Sequence, residues 1–241
     1  MHYGKYIFIM MNRKKLKPIV IILCGGKGLR LRPLTNDIPK PLIEIKNKPI
    51  LEYILNQFIK YKFDKYIIPT GYKTNKISEF MKKNFKSIDY KIVNSGDTDI
   101  ITRIRDSIKG IDSDFILSYG DTVSNVNLSE LVEYYEKNTE SAIVTSFPIT
   151  IPFGVMKVDG KDNVTSFIEK PVLESVMNIG YFYFSKKHHS LFFKHDSFIE
   201  VLSYLSQKRK LKCFKHSGIH ITINTIAELE YANKNIKKIY N

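Results

Sequence analysis

The sequence predicts one α/β domain, a three-layer sandwich in which helices cover both faces of a mostly parallel sheet. The main observation is an alternation. Short β-branched apolar runs, typical of buried strands, are followed by segments whose apolar residues recur at helical spacing. Strands that alternate with helices imply crossover connections, which join parallel strands and cover the sheet. In addition, the 241 residues are 43% hydrophobic, which suffices for one domain with a proper core.

The first half of the chain provides the clearest alternation. Residues 18–23 form an apolar run that ends in glycines, as a buried strand does before a tight turn. Residues 50–61 carry apolar side chains at the spacing of one helical face. The same reasoning predicts further strands at 65–69, 90–93, 115–119 and 142–147, and further helices at 73–84, 101–108 and 128–137.

The second half is richer in β-structure within the same domain, which is predicted to span residues 18–241. It contains predicted strands at 154–158, 164–167 and 179–184, and predicted helices at 198–207 and 225–235. Ahead of the domain, residues 1–17 are interpreted as a basic N-terminal extension, an added strand or an arm. Its charges at Arg13, Lys14 and Lys15 follow a short apolar stretch, whereas a signal peptide carries its charges first.

Charge and cysteine content narrow the classes of partner. The formal net charge is +14, which invites a nucleic-acid interpretation. However, 32 of the 38 basic residues are lysines spread along the chain, and arginine is the better residue for recognising bases and phosphates. We therefore expect no nucleic-acid partner.

The apolar runs of this sequence are far shorter than the ~18 residues of a membrane span. This predicts no membrane insertion. Cys24 and Cys213 show no disulfide or zinc pattern, which fits a reducing cytoplasm.

A glycine-rich loop follows the first predicted strand. Gly25, Gly26 and Gly28 lie within four residues, and successive backbone N–H groups at such a turn can surround phosphate oxygens. Arg30 and Lys40 then supply fixed positive charge for a polyphosphate. The alternative is a tight turn from strand to helix with a surface arginine and lysine. Neither the Walker pattern nor the dinucleotide-binding pattern is present.

The whole stretch from residue 25 to residue 45 resembles the signature of the sugar-phosphate nucleotidyltransferases. It reads Gly-Gly-Lys-Gly-Leu-Arg-Leu-Arg-Pro-Leu-Thr and is followed by Pro-Lys-Pro. The resemblance implies a Rossmann-like sandwich of the nucleotidyltransferase or GT-A-like type. It also implies that the loop wraps a triphosphate, that Arg30 assists the leaving pyrophosphate, and that Lys40 contacts phosphates at the reacting centre. Leu29 departs from the pattern, since the family usually has threonine there.

Further matches are closest to the glucose-1-phosphate cytidylyltransferase branch of the family. Gly71-Tyr72-Lys73 and Asn94-Ser95-Gly96-Asp97-Thr98 resemble segments of that branch, although Ile101 and Thr102 stand where the branch has two glycines before Arg103. The nucleotide-binding residues that the resemblance implies are Leu23, Gly25, Gly26, Gly28, Gly71, Ser95, Gly96, Asp97 and Gly120. The acceptor-binding residues that it implies are Arg103, Gly154, Glu169, Lys170, Asn178 and Gly180.

A magnesium site is expected at Asp121. This carboxylate ends the predicted strand at 115–119, at the edge where open parallel sheets bind ligands, and Mg²⁺ prefers oxygen ligands. The alternative role is a cap on the next turn. Many family members supply a second aspartate late in the chain, and the matching position here holds Asn224. An amide oxygen can ligate a metal but carries no charge, so Asn224 is a doubtful second ligand.

Together these features predict an enzyme that joins an NTP to a sugar 1-phosphate and releases pyrophosphate. The expected nucleotide is CTP, and the expected product is an NDP-sugar for surface polysaccharide synthesis. The same chemistry on a heptose phosphate, on a phosphocholine-like acceptor or with another NTP stays open. So does a nucleotide-binding regulatory protein that has lost turnover. By resemblance, the chain is expected to be a cytoplasmic homo-oligomer.

Overall fold

A seven-stranded sheet forms the centre of the molecule, whose computed structural model describes residues 17–240. The predicted extension of residues 1–17 therefore lies outside the described residues, apart from Lys17. The strands in chain order are β1 (Ile19–Leu23), β2 (Glu44–Ile45), β3 (Lys48–Pro49), β4 (Lys65–Thr70), β5 (Asp89–Asn94), β6 (Phe115–Tyr119), β7 (Thr122–Ser124), β8 (Ala142–Thr150), β9 (Val155–Val158), β10 (Val164–Ile168), β11 (Val172–Phe184), β12 (Leu211–Lys215) and β13 (His220–Thr222).

The sheet has the order β12-β8-β11-β6-β1-β4-β5. All neighbouring strands run parallel except β11, which is antiparallel to both β6 and β8. The predicted mostly parallel sheet is thereby confirmed. Because β1, β4, β5 and β6 are adjacent and parallel, their carboxyl ends lie side by side at one edge of the sheet.

Two hydrophobic clusters lie on opposite faces of this sheet, because successive strand residues point to opposite sides. In β1, Val20 and Ile22 belong to one cluster, while Ile21 belongs to the other. The helices are α1 (Ile50–Lys60), α2 (Thr74–Asn84), α3 (Ile100–Ile108), α4 (Leu128–Glu136), α5 (His189–Lys194), α6 (Phe198–Gln207), α7 (Ile226–Asn235) and α8 (Lys237–Tyr240). Helices α1, α2, α4 and α7 pack in the first cluster, and α3, α5 and α6 pack in the second. This arrangement is the predicted three-layer sandwich.

Each strand and helix predicted between residues 18 and 235 is present, with bounds shifted by a few residues. The largest shift is at β11, which begins at Val172 rather than at residue 179. Its first half is exposed and lacks the buried pattern that predicts a strand. Strands β2, β3, β7, β12 and β13 and helices α5 and α8 were not predicted. None of the helices within residues 17–240 combines the length and apolarity that a bilayer crossing requires.

Three two-stranded antiparallel sheets stand outside the central one, β2 with β3, β7 with β13 and β9 with β10, and the last two bear on the site. Strand β7, directly after Asp121, pairs with β13, which ends two residues before Asn224. The pairing continues beyond the strands, since the Ile223 backbone N–H donates to the Asp121 carbonyl at 3.0 Å. Strands β9 and β10 pair only with each other among the described strands.

Candidate active site

The structure brings the segments that follow four parallel strands together at one sheet edge. Leu23 at the end of β1 is in register with Tyr119 at the end of β6, and Thr70 at the end of β4 is in register with Asn94 at the end of β5. Cys24 continues this register by bridging to Thr70. The glycine loop, Gly71, the 95–98 loop and Asp121 therefore meet here, although they are far apart in sequence.

Glycine is required where these segments approach one another most closely. The Gly120 N–H donates to the Leu23 carbonyl at 3.1 Å, and a Cβ at Gly120 would lie 2.3 Å from that carbonyl oxygen. A Cβ at Gly71 would lie 2.2 Å from the Gly96 carbonyl oxygen. Since the obstructing atoms are backbone, larger residues at either position would force the loops apart.

Arg103, from α3, is a buried clamp between two of these loops. Its Nη2 donates to the carbonyls of Gly25 and Gly96, each at 3.1 Å, and its Nη1 donates to the carbonyls of Thr98 and Asp99. The side chain is only 6% exposed, and burial lowers the pKa of its guanidinium from the usual value. From the sequence, Arg103 was predicted to be an acceptor-binding residue. The structure places it between the glycine loop and the 95–98 loop, so an acceptor role stays a prediction.

A cluster of two cations, one carboxylate and one amide forms the polar centre of the site. Lys40 Nζ donates to Asp121 Oδ2 at 2.5 Å and to Asn224 Oδ1 at 2.8 Å. Arg30 Nη2 donates to the same Asn224 oxygen at 3.1 Å. The Asn224 N–H donates to Glu228, in the capping box that starts α7. The fixed end of this helix therefore holds Asn224 against the two cations.

Two adjoining cavities meet at this cluster. The first, of about 250 Å³, lies over the strand ends, and the second, of about 410 Å³, lies beside the glycine loop. Gly26, Lys40 and Asp121 line both cavities. The first is otherwise lined by Leu23, Cys24, Gly25, Pro41, Ile100, Arg103, Tyr119 and Gly120, and the second by Gly28, Leu29, Arg30 and Asn224. The thiol of Cys24 is buried, and burial raises its pKa.

Three hydrogen bonds around the glycine loop, one from Lys27 and two from Tyr72, were not predicted from the sequence. Lys27 Nζ lies 2.5 Å from Asp97 Oδ2, so an exposed ion pair links the glycine loop to the 95–98 loop. The Tyr72 hydroxyl donates to the carbonyls of residues 35 and 36, fixing the segment between Arg30 and Lys40. Lys27 and Tyr72 both occur in the motifs that carry the resemblance, and that position in the motifs was the only available signal. The Ser95 hydroxyl, by contrast, is buried without a partner among the described residues.

The predicted acceptor-side residues other than Arg103 lie outside the lining of both cavities. Gly180 packs against the ring of Tyr119, which does line the first cavity, and the Asn178 side chain accepts from the Gly180 N–H at 2.8 Å. Gly154 lies against Phe167 and Glu169 at the base of the β9–β10 hairpin. Glu169 and Lys170 are exposed and form no ion pair with each other in the described part of the chain.

The donor set suits a metal ion only if the ligand brings further oxygens. Within residues 17–240, no group of three or more histidine, cysteine or acidic side chains is placed to hold a metal. Asp121 and Asn224 offer one carboxylate and one amide oxygen, both hard donors that Mg²⁺ accepts. Both already accept hydrogen bonds from Lys40. The residues therefore fit a metal that arrives with a triphosphate rather than a free metal ion.

Comparison with known proteins agrees with this geometry. The model of the nucleotidyl transferase family matches residues 19–218. The "Probable glucose-1-phosphate cytidylyltransferase" of Bacillus subtilis (strain 168) is 31% identical, over 89% of this chain and 94% of that protein. The "D-glycero-alpha-D-manno-heptose 1-phosphate guanylyltransferase" of Campylobacter jejuni is 34% identical, over 62% of this chain and 67% of that protein. The structure of HddC from Yersinia pseudotuberculosis shares the fold, with a TM-score of 0.70 at 24% identity over 91% of this chain and 100% of that chain.

Proposed function

The chain belongs to the nucleotidyl transferase family, and we propose that it joins CTP to a sugar 1-phosphate, releasing pyrophosphate. The observation that carries the proposal is the pair of cations, Arg30 and Lys40, held by Asn224 and Asp121 where the two cavities meet. A site that must bring two anions together needs fixed positive charge at their junction. The single domain for this activity would comprise residues 18–241.

The two cavities support a model in which different parts of the nucleotide occupy different cavities. The first is lined by the ends of β1 and β6 and by apolar side chains such as Ile100, which suits a base and ribose. The second is lined by Gly28, Arg30 and Lys40, which suits a triphosphate. The α-phosphorus would then lie at the shared wall formed by Gly26, Lys40 and Asp121.

The reaction is an in-line displacement at the α-phosphorus. An oxygen of the acceptor phosphate forms the new P–O bond, and the bond to the β-phosphate oxygen breaks, so that its electron pair leaves with pyrophosphate. No general base is needed, because the acceptor phosphate is ionised at neutral pH. Positioning and electrostatic stabilisation are the main contributions of a protein to such a transfer. Lys40 would stabilise charge at the α-phosphate, and Arg30 would stabilise the leaving pyrophosphate.

A divalent metal, which we propose to be Mg²⁺, would be held by Asp121 together with phosphate oxygens. Its chemistry would be to neutralise phosphate charge and polarise the reacting phosphate. Asn224 is a weaker candidate ligand, since its oxygen already accepts from Arg30 and Lys40. On the acceptor side, Glu169, Lys170, Asn178 and Gly180 remain proposed contacts with the sugar phosphate.

The preference for CTP rests on two supports. The segments around Gly71 and Ser95 resemble the cytidylyltransferase branch, and one relative that aligns with 89% of this chain carries that activity in its name. A second candidate is GTP with a heptose phosphate, which the Campylobacter relative favours. The NDP-sugar product would serve surface polysaccharide synthesis in the cytoplasm.

Pyrophosphate release in a matrix of nucleotides and acceptors tests the proposal. We expect the highest kcat/KM with CTP and a hexose 1-phosphate, and loss of release in Lys40→Ala. Higher kcat/KM with GTP and a heptose 1-phosphate would establish the second candidate. Nucleotide binding without release for every pair would indicate a regulatory protein instead.

A further inference from the structure

A cavity of about 390 Å³ lies at the edge of the central sheet opposite the candidate active site. Its lining comes from the segments just before β8 and β12, from the segment just after β11, and from helices α5 and α6. Phe184, the last residue of β11, is in register with Phe115, the first residue of β6. The cavity therefore lies where the parallel strands begin, and it shares no lining residue with either cavity of the candidate active site.

The part of this cavity formed by α5 and α6 is apolar. Leu205 of α6 is buried, Leu191 of α5 is half-buried, and the ring of Tyr204 is the third apolar group of the lining. Small-molecule sites typically are cavities of this size, with apolar walls and a few polar groups that orient the ligand. The apolar part of a ligand would therefore lie against these two helices.

The cationic part of the lining consists of three lysines, Lys187, Lys208 and Lys210, and the only carboxylate among them is that of Glu140. Glu140 pairs with Lys187 at 2.9 Å and lies 3.7 Å from the Lys210 ammonium. Lys208 forms no ion pair within residues 17–240, and its ammonium lies over the Tyr204 ring, 5.9 Å from the centroid. The lining thus carries a net charge of +2, and Lys208 can pair with an anion without displacing a carboxylate.

His188 adds a buried hydrogen-bond donor to the same lining. Its side chain is only 5% exposed, and its Nδ1 accepts from the Ser185 backbone N–H at 3.1 Å. Burial lowers the pKa of His188 to about 4, so the ring is neutral at physiological pH. A neutral ring whose Nδ1 accepts carries its proton on Nε2. No residue within 17–240 accepts a hydrogen bond from this Nε2, so it is the polar atom that His188 can offer to a ligand in the cavity.

We propose that this cavity binds a small phosphate monoester with an apolar body, at a site separate from the nucleotide site. A phosphate monoester carries about −1.5 to −2 charges near pH 7, which matches the net charge of the lining. Its oxygens accept from the Lys208 ammonium and from His188 Nε2, while its apolar body contacts Leu191 and Leu205. A carboxylate balances only half of the lining charge, and a neutral molecule balances none of it.

The test is isothermal titration calorimetry of the full chain with phenyl phosphate, benzoate and benzyl alcohol, which present an aromatic ring with decreasing negative charge. We expect the affinity to decrease in that order. Lys208→Glu replaces an attraction by a repulsion and should weaken the binding of phenyl phosphate about tenfold or more. The matched control is Lys194→Glu, which makes the same charge change on α5 at an exposed lysine outside the cavity lining. This control should leave the affinity unchanged.

His188→Phe tests the buried donor, because it keeps a ring but removes Nε2. It should also weaken the binding of phenyl phosphate, and if this variant does not fold, the result with Lys208→Glu decides. Lys40→Ala separates the proposed site from the nucleotide site, since Lys40 lies at the opposite edge of the sheet. Phenyl phosphate should bind Lys40→Ala with wild-type affinity.

Four results would overturn the proposal. The first is that phenyl phosphate does not bind the wild type, and the second is that benzyl alcohol binds as tightly as phenyl phosphate. The third is that Lys208→Glu keeps the wild-type affinity or that Lys194→Glu weakens binding equally. The fourth is a loss of binding in Lys40→Ala, which would show that phenyl phosphate occupies the nucleotide site instead.

Discussion

Replacing Arg103 by methionine removes the clamp between the two nucleotide-side loops while nearly preserving side-chain length. The guanidinium donates to four carbonyls, those of Gly25, Gly96, Thr98 and Asp99. Hydrogen bonds from a charged group contribute about 1.5–3 kcal/mol each to stability. Removing the guanidinium also removes the free-energy cost of burying its charge, which offsets part of that loss. We therefore expect Arg103→Met to lower the free energy of unfolding by about 3–5 kcal/mol. At roughly 2–4 °C per kcal/mol for a chain of this size, the melting temperature should fall by about 6–20 °C.

Arg105 is the matched control, because it lies on the same helix and also donates to two backbone carbonyls, in part-buried hydrogen bonds. Its partners are Phe192 at 2.5 Å and His195 at 2.6 Å, away from the loops. Arg105→Met should also lower the melting temperature. Only Arg103→Met should weaken nucleotide binding, measured calorimetrically at a temperature where both variants are folded. A loss below about 1 kcal/mol in Arg103→Met would refute the clamp, as would equal nucleotide affinity in the two variants. If the methionine variant does not fold, Arg103→Lys, which keeps the charge, is measured in its place.

Three further expectations follow from the polar centre and the buried histidines. Lys40→Ala should raise the transition-state barrier by about 2–4 kcal/mol, seen as reduced kcat/KM with little change in melting temperature. Activity within a few fold of wild type would show that Lys40 does not act on the reacting phosphates. Asn224→Asp should lower the magnesium concentration needed for half-maximal rate, and an unchanged requirement would place residue 224 outside the metal shell. Burial lowers the pKa of His188 and of His220 to about 4, whereas unfolded histidine titrates near 6.5. The unfolded chain therefore binds more protons between these values, and the free energy of unfolding should decrease as pH falls from about 6.5 to 4. His188→Gln should flatten this dependence in melts recorded across that range.

The central part of the fold could be predicted because burial leaves a pattern in the sequence. Residues 19–23 and 115–119 are apolar runs on both faces of the sheet, and α1 carries one apolar stripe. The edge strand β12 has lysines at 212 and 215 and was missed, since an edge strand shows no such run. The first half of β11 was not predicted, because its apolar residues do not alternate with polar ones along the strand. These residues are exposed in the structure.

The site could be located from the sequence, but its contacts could not. Glycines and a carboxylate directly after strands point to one sheet edge, and the structure brings those segments together there. The ion pair between Lys40 and Asp121 joins residues 81 positions apart, and its geometry depends on how β7 and β13 pair. Likewise, no local pattern indicates that Arg103 faces two loops from its helix.

The position of Lys40 means that the protein itself supplies the counterion of this lysine. Its ammonium lies against the Asp121 carboxylate at 2.5 Å, with a side chain only 12% exposed. In the proposed role of Lys40, nucleotide entry would replace the Asp121 carboxylate at the lysine by a phosphate oxygen. Such an exchange yields less net binding free energy than attraction of a phosphate to an unpaired lysine would, since the Lys40–Asp121 contact must open first. The same exchange would assist product release, because Asp121 can form its ion pair with Lys40 again as the phosphates leave.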